Sequence, residues 1–349
     1  VRAGRQSFGR GWLDVAQWRL ADGLVRCYQW RQVFEWWIPD MVGRSRCIVL
    51  FVGACLLAAP VVGQVQAANP GQPPRGASNP ASSLERAGDS PALPAVADCG
   101  EVPSGMACVP GGFFVRGSDD GPADSRPASK VWVQTFLMDI DEVTVRDFFA
   151  CVKSRKCPKA GPLYRGFSEP DMPINGISWF DADNYCKVRG KRLPTEAEWE
   201  KAARGVDGRT WPWGDSKATC DLAIIEDASG KGCGRKKPGD HPEKGRPWAV
   251  GSRPATQYGL RDMAGNSYEW VADWYSPSWG ECGSECSGVD PKGPCGGAAK
   301  CPGHKRKSVR GGSWYWPSEN ARTFHRRSYI PSNKPAHHFG FRCASSVSK

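Results

Sequence analysis

Fifteen cysteines are spread over the 349 residues, and twelve of them follow residue 98 at irregular spacings. An even set of that density points to a disulfide framework or to bound metal, and the redox compartment decides between them. The clue to the compartment lies upstream. Residues 47–62 form an apolar run, preceded by Met41-Val-Gly-Arg-Ser-Arg46 with two positive charges and followed by Val65-Gln-Ala67. A cationic start, an apolar stretch of roughly 7–15 residues and small residues at a cleavage site make a secretory signal, whereas a spanning helix needs about 20 apolar residues. Residues 41–67 are therefore predicted to be a signal peptide cut after Ala67, and the mature chain to be secreted or periplasmic without a membrane span. A lipoprotein signal at Val52-Gly-Ala-Cys55 is the rival. The apolar run continues past that cysteine to Pro60, which argues against it. Cleavage removes Cys27, Cys47 and Cys55, and the remaining twelve read as disulfides.

Residues 1–40 precede this start. Their five tryptophans, several arginines and absent periodicity read as a mis-translated upstream extension, a basic-aromatic arm being the other reading. Residues 68–98 are rich in Pro, Ala, Ser and Gly, cannot bury enough apolar surface to offset their ordering entropy, and are predicted to be a disordered linker. The folded part is then residues 99–349. Charge follows the same boundaries: beyond residue 67 the chain carries 39 basic and 32 acidic side chains, net +7. The bases are scattered, with Arg235-Lys-Lys237 and Lys305-Arg-Lys307 as the densest groups, and no zinc finger, helix-turn-helix or RNA-binding motif accompanies them, so nucleic acid is not an expected partner.

Within residues 99–349 three helices are marked by their caps. Thr144 caps one over 143–152. Ser178 opens a second, with Asp181 in its first turn and Gly190 as its stop. Thr195-Glu-Ala-Glu198 is a capping box opening a third, with Trp199, Ala202 and Ala203 as its buried stripe and Gly205 as its end. Strand-like pieces at 113–117, 130–140, 309–315, 323–329 and 339–344 are punctuated by Gly and Pro. Two long loops, 220–250 and 276–308, hold Cys220, Cys233, Cys282, Cys286, Cys295 and Cys301. Loops of this length inside a compact domain need cross-links or a function, and each disulfide would contribute about 2–4 kcal/mol.

The order of motifs carries a resemblance. Val109-Pro-Gly-Gly-Phe-Phe-Val-Arg-Gly-Ser118 is followed by Asp141-Glu-Val-Thr144 and by Pro173-Ile-Asn-Gly-Ile-Ser-Trp179. Next come Gly190-Lys-Arg-Leu-Pro-Thr-Glu-Ala-Glu-Trp-Glu200, Trp211-Pro-Trp-Gly-Asp215 and Gly259-Leu-Arg-Asp-Met-Ala-Gly-Asn-Ser-Tyr-Glu-Trp270. Arg310-Gly-Gly-Ser313 and Gly340-Phe-Arg-Cys-Ala344 complete the series. The sequence resembles the formylglycine-generating-enzyme (sulfatase-modifying factor) family over nearly all of residues 106–345. The resemblance implies an α+β fold, compact and irregular, related to C-type lectin-like domains and poor in regular secondary structure.

Members that make formylglycine oxidise a sulfatase cysteine with O₂. They use two cysteines just after Arg-Gly-Gly-Ser that bind copper(I), since soft thiolates select that ion. Counted from Ser313, these places fall on Trp316 and Ala321. Neither can ligate a metal, and no cysteine lies between Cys301 and Cys343. Copper is therefore not expected, and the reaction is left open between a non-catalytic binding module and an O₂-dependent metalloenzyme with a differently built site. Relatives in ergothioneine synthesis bind iron mainly through histidines of an extra domain, and others act in siderophore chromophore maturation, so family membership fixes fold better than reaction.

The resemblance also implies sites. Asp262, Gly265, Ser267 and Glu269 match the family's calcium loop, two carboxylates and two carbonyls being hard oxygen ligands. The alternative is a turn in which Asp262 and Asn266 cap backbone groups and Glu269 pairs with an arginine. Asp221 and the Leu222 carbonyl are candidates for a second calcium site. Cys186 and Cys343 match a family disulfide, with Cys151–Cys157, Cys220–Cys233 and Cys99–Cys108 as plausible local pairs. Cys282, Cys286, Cys295 and Cys301 make two more bonds or, alternatively, a zinc site. His325, His337 and His338, with Ser313, are candidates for a catalytic iron or copper site, against a reading as surface or capping residues. Ser313, Trp314, Trp316, Arg322, Arg326 and Arg327 occupy the segment lining the family's substrate groove. Flat rings and forked cations are favoured in recognition, so this segment is expected to bind a peptide, protein or glycan, unless its tryptophans are core residues.

Overall fold

The computed structural model describes residues 93–333 and 337–347, together with the backbone of three N-terminal strands. The expected signal peptide and residues 68–92 of the expected linker lie outside the described residues. The N-terminal strands, β1 (Arg5–Phe8), β2 (Gly11–Leu20) and β3 (Gly23–Trp30), pair in sequence order as an antiparallel sheet belonging to a unit of its own.

The second unit begins with β4 (Met106–Val109), β5 (Gly112–Arg116), β6 (Ser129–Val133) and β7 (Phe136–Asp139). The strand expected over 130–140 is split in two. The Gln134 N–H donates to Asp290 and the Thr135 hydroxyl to Ala97 O, so the chain turns between them. As a result β6 pairs with β5, while β7 pairs with β4 and with β12 (Ala344–Ser346). Helices α1 (Val145–Lys153), α2 (Trp179–Val188) and α3 (Glu196–Arg204) start at Thr144, Ser178 and Thr195, whose side chains accept from the N3 backbone N–H. The capping boxes of α2 and α3 are closed by Asp181 and Glu198.

Next come β8 (Tyr268–Trp274), the one-turn α4 (Trp279–Cys282), β9 (Lys307–Arg310), β10 (Arg327–Tyr329) and β11 (Phe339–Gly340). They form a mixed sheet ordered β10-β9-β8-β11, with β11 parallel to β8. Strand β9 stops at Arg310, short of the expected 315. At Gly312 the backbone takes φ +77°, and a Cβ there would lie 2.8 Å from Asn320 O, so the chain bends away instead of extending the ladder.

Within this second unit, helix α3 is buried along its whole length. Trp199, Ala202 and Ala203 pack with Val109, Phe136, Met138 and Val271. Its charged face is buried too: Glu196 pairs with Arg326 at 2.7 Å and Glu200 with Arg310 at 2.5 Å, both from the C-terminal third, and Glu200 also with Arg204 of the same helix at 2.8 Å. A second core lies between α1, α2 and the mixed sheet, around Phe148, Tyr185, Trp270 and Phe341. Six disulfides join Cys99–Cys108, Cys151–Cys157, Cys186–Cys343, Cys220–Cys233, Cys282–Cys286 and Cys295–Cys301. Four of these thiols thus pair two by two in the 276–308 loop, which leaves no thiolate set there for zinc. Cys186–Cys343 ties α2 to the segment between β11 and β12. The other bonds close short loops that carry little core of their own.

Candidate functional site

The chain leaving β9 makes a tight turn over 313–316, closed by Trp316 N–H donating to Ser313 O. This turn sorts the candidate residues by depth. Ser313 and Trp314 are fully buried. The Trp314 indole N–H donates to His337 O at 3.0 Å, and its ring packs on Phe167, His337 and His338 at 5.4–5.6 Å. Trp314 is therefore a core residue that positions the turn. Arg326 is buried as well, its guanidinium shared among Glu196, Asp124 O and Ser276 O.

Three of the expected contact residues stay half-buried at the surface: Trp316, Arg322 and Arg327. Arg327 lies over Trp316 at 4.9 Å and over Tyr268 at 5.3 Å. Tyr315 joins them, with the Lys231 ammonium 3.2 Å from its ring centre. Trp316 Nε1 and Arg322 Nε are buried N–H donors without a partner, and such groups cost free energy until an acceptor arrives. Lys231 and Tyr315 carry no motif. Only the fold, which brings the 220–250 loop against the turn through Gly232 N–H and Trp314 O, reveals them.

The three histidines line the same face. His325 Nε2 sits 3.3 Å from both Tyr268 OH and Asn320 Nδ2. Burial, reinforced by Arg310, Arg327 and Arg322, lowers its pKa to about 4. His337 and His338 lie 4.2 Å apart between ring centres with their planes tilted by 51°, each with Nδ1 unpartnered. Burial lowers them to about 4 and about 3, with Lys237 acting on the first and His337, Arg327 and Lys231 on the second. All three are neutral imidazoles at neutral pH. Among the described residues, no three His, Cys, Asp or Glu side chains gather as a metal-holding group.

The two residues that the resemblance sets at the copper-ligand places are packed side chains. Trp316 packs against the core beside α2, and Ala321 is buried among Trp211, Ala223 and Ala264. The twelve cysteines from Cys99 to Cys343 are all in disulfides, so no thiolate pair exists among residues 93–333 and 337–347.

The Asp262 turn lies behind this face, joined to it by Trp314 N–H donating to Asn266 O. Asp262 takes φ +55°, and Gly265 is required, since a Cβ there would fall 2.3 Å from Ile224 O. Asp262 Oδ2 accepts from Gly251 N–H, and Asn266 Oδ1 from Trp248 N–H. Glu269 is engaged at both oxygens, by Arg342 at 2.7 and 2.8 Å and by Trp199 Nε1 at 2.8 Å. Asp262 Oδ1 and the nearby Glu142 Oε1 are buried without partners. Burial raises Asp262 to about 6 and, with Asp262 and Glu269 adding to it, drives Glu142 well above the usual carboxylate range. Asp221 lies exposed at the surface beside a half-buried Leu222.

An irregular α+β domain with little regular secondary structure is the fold of the sulfatase-modifying factors. The sulfatase-modifying factor enzyme 1-like domain matches residues 95–347, and the chain belongs to that family. It is 30% identical to the formylglycine-generating enzyme of Thermomonospora curvata, over 70% of this chain and 94% of that one. It is 29% identical to the inactive C-alpha-formylglycine-generating enzyme 2 of Mus musculus, over 70% of this chain and 86% of that one. A relative in Chlamydia caviae, named serine/threonine-protein kinase pkn1, is 31% identical over 69% of this chain, which spans 38% of the relative's length. The structure of PvdO from Pseudomonas aeruginosa superposes with a TM-score of 0.54 at 26% identity, covering 69% of this chain and 94% of that one. Six disulfides in such a domain suit an extracytoplasmic location. Among the described residues no helix is long and apolar enough to cross a membrane.

Proposed function

We propose that this chain is an exported, non-catalytic member of the family that binds a peptide, protein or glycan on the face made by Tyr315, Trp316, Arg322 and Arg327. The observation that carries the reading is that Trp316 and Ala321 stand where the resemblance would need thiolates, and the twelve cysteines from Cys99 to Cys343 are all spent in disulfides. Unpartnered donors on Trp316 and Arg322 beside cation-capped rings support ligand binding there. The test is a binding screen of the purified domain against peptide and glycan libraries, repeated with Arg327→Ala. A ligand lost in that variant while folding is retained supports the proposal; ligands unaffected by Arg327→Ala and Trp316→Ala refute it.

A second reading is an O₂-dependent metalloenzyme built on histidine. It is favoured by one observation, the pair of neutral, unpartnered imidazoles of His337 and His338. Copper and iron content of the purified protein, with O₂ uptake on thiol peptides, separates the two readings.

Calcium at the Asp262 turn is part of the same proposal. The residues fit in part: Asp262 Oδ1 is unpartnered and the Gly265 and Ser267 carbonyls lie in the same turn, whereas Glu269 is already paired with Arg342. When bound, calcium would brace the turn that positions Trp314. The exposed Asp221 gives the second calcium site no comparable support.

A further inference from the structure

No acid meets the cations of the Tyr315–Arg327 face; each lies over a ring. Lys231 sits 3.2 Å from the Tyr315 ring centre, Arg327 4.9 Å from that of Trp316, and Arg322 5.9 Å from that of Trp211. None of the three forms a salt bridge among the described residues, whereas cations just beyond them do: Lys217 pairs with Glu319 at 3.5 Å and Arg235 with Glu169 at 2.9 Å. A ring supplies a quadrupole and no counter-charge, so each cation keeps its full charge. All three are half-buried, with part of each residue open to solvent.

Their field is not balanced nearby. Apart from one another, the side chains whose charge acts on His325, His337 and His338 are Arg310, Arg322, Arg327, Lys231 and Lys237, with no carboxylate among them. Arg310 is paired with Glu200, so the others remain uncompensated around imidazoles that are themselves uncharged at neutral pH. Of the carboxylates flanking the turn, Glu319 is taken by Lys217. Glu226, whose N–H donates to Trp316 O, is a single negative charge against the cluster. Like charges gathered at a partly desolvated surface raise the local potential and draw in an ion of the other sign.

We infer that the ligand of this face is an acidic peptide segment, bound extended along β10 with its carboxylates on Lys231, Arg322 and Arg327. The inference rests on the reading of the face as a binding site and names what it binds. A guanidinium lying over a ring keeps the N–H donors on its rim free, in the fork geometry that a carboxylate accepts. Two features favour a peptide over an anionic glycan. The rings of Tyr315 and Trp316 are taken up by cations and by each other, at 5.2 Å between centres, which leaves little flat surface for a sugar. Strand β10, which begins at Arg327, is an edge strand of the mixed sheet. An extended peptide can add to such an edge through main-chain hydrogen bonds while its side chains reach the cations. Arg306, which donates to Ser328 O at 3.5 Å, is exposed and adds a further cation beside that edge.

The test is fluorescence anisotropy of the purified whole chain with labelled hexaglutamate, hexaglutamate N-methylated at alternate residues, hexalysine and a heparin hexasaccharide. Hexaglutamate is expected to bind saturably and hexalysine not to bind. N-methylation removes main-chain donors and should weaken binding about tenfold. Arg327→Gln, Arg322→Gln and Lys231→Gln should each weaken hexaglutamate about tenfold, while Lys153→Gln, at an exposed lysine in the last turn of α1, should not. Binding should also fall as salt rises from about 0.01 to about 0.15 M. Each variant is first checked for an unchanged melting temperature, and three separate positions keep the test decisive if one of them does not fold. No hexaglutamate binding, binding that none of the three variants weakens, or N-methylated peptide binding as well as hexaglutamate overturns the inference. So does a heparin fragment that binds more tightly and is lost in the same variants, which would make the face a glycan site. The underlying reading fails separately. A neutral or basic library ligand lost in Arg327→Ala overturns the acidic class and leaves the face a binding site, whereas the absence of any ligand that depends on Arg327 or Trp316 refutes both.

Discussion

Arg326 and Arg327 are neighbours in sequence, and the structure gives them opposite duties that mutation can separate. Arg326 is 4% exposed, donates to both oxygens of Glu196 at 2.7 and 2.9 Å and to two carbonyls, and lies 3.7 Å from the Trp279 ring centre. Arg326→Ala strands the Glu196 carboxylate, two carbonyl oxygens and a ring face together. Breaking a buried ion pair from one side costs about 3–5 kcal/mol. For a domain of this size that lowers the melting temperature by roughly 6–20 °C. Arg327 is half-buried, pairs with rings and not with acids, and Arg327→Ala should cost less than about 1 kcal/mol. Differential scanning calorimetry of both variants in parallel, with the ligand screen as second readout, gives the comparison. Arg326→Ala melting like wild type, or Arg327→Ala melting as low as Arg326→Ala, would refute the assignment of one arginine to the core and the other to the surface.

Glu196 sets an acid limit. Burial pushes its pKa up, but Arg326 and Arg310 outweigh that and hold it at about 2, below its ordinary 4.5. Its contribution is therefore complete above pH 4.5 and lost as pH falls through 2, a loss Glu196→Gln should abolish in denaturation curves. Asp273 has the opposite sign: burial and Glu196 raise it to about 7 from 3.8. Stability then declines as pH rises through that window, and Asp273→Asn, which can still accept from Glu196 N–H, should remove a decline on the order of 4 kcal/mol. Replacing Cys186 and Cys343 together by Ala reopens a loop with a sequence separation of 157 and should cost about 5 kcal/mol in urea unfolding, whereas the four-residue spacing of Cys282–Cys286 should cost far less. If the Asp262 turn takes calcium, a chelator lowers the melting temperature of wild type and leaves Asp262→Asn unmoved; equal responses contradict it.

What could be read from the chain was what depends on near neighbours. Thr144, Ser178 and Thr195 cap helices through residues three positions on, so all three helix starts were visible. The role of α3 was not. Its glutamates and Arg204 resemble a solvent face, and their burial depends on Arg310 and Arg326, more than a hundred residues away. Strand β8 was missed because it is buried on both faces, leaving no polar alternation to detect. At the candidate face, Trp314 and Trp316 are indistinguishable by composition, and only the turn at Ser313–Trp316 sends one inward and the other toward solvent. Glu142 stood inside a family motif without a role. Its burial depends on Asn266, which donates to it from a turn 124 residues away and which no local pattern encodes.

The most direct test of the account is mass spectrometry of a cysteine-containing sulfatase peptide incubated aerobically with the protein, added copper(I) and a thiol reductant, with the protein's retained copper measured alongside. The filled copper position predicts an unaltered peptide and no tightly held copper. Conversion of that cysteine to an aldehyde, with one copper bound per chain, would show that the oxidase chemistry survives without the thiolate pair and would contradict the proposal.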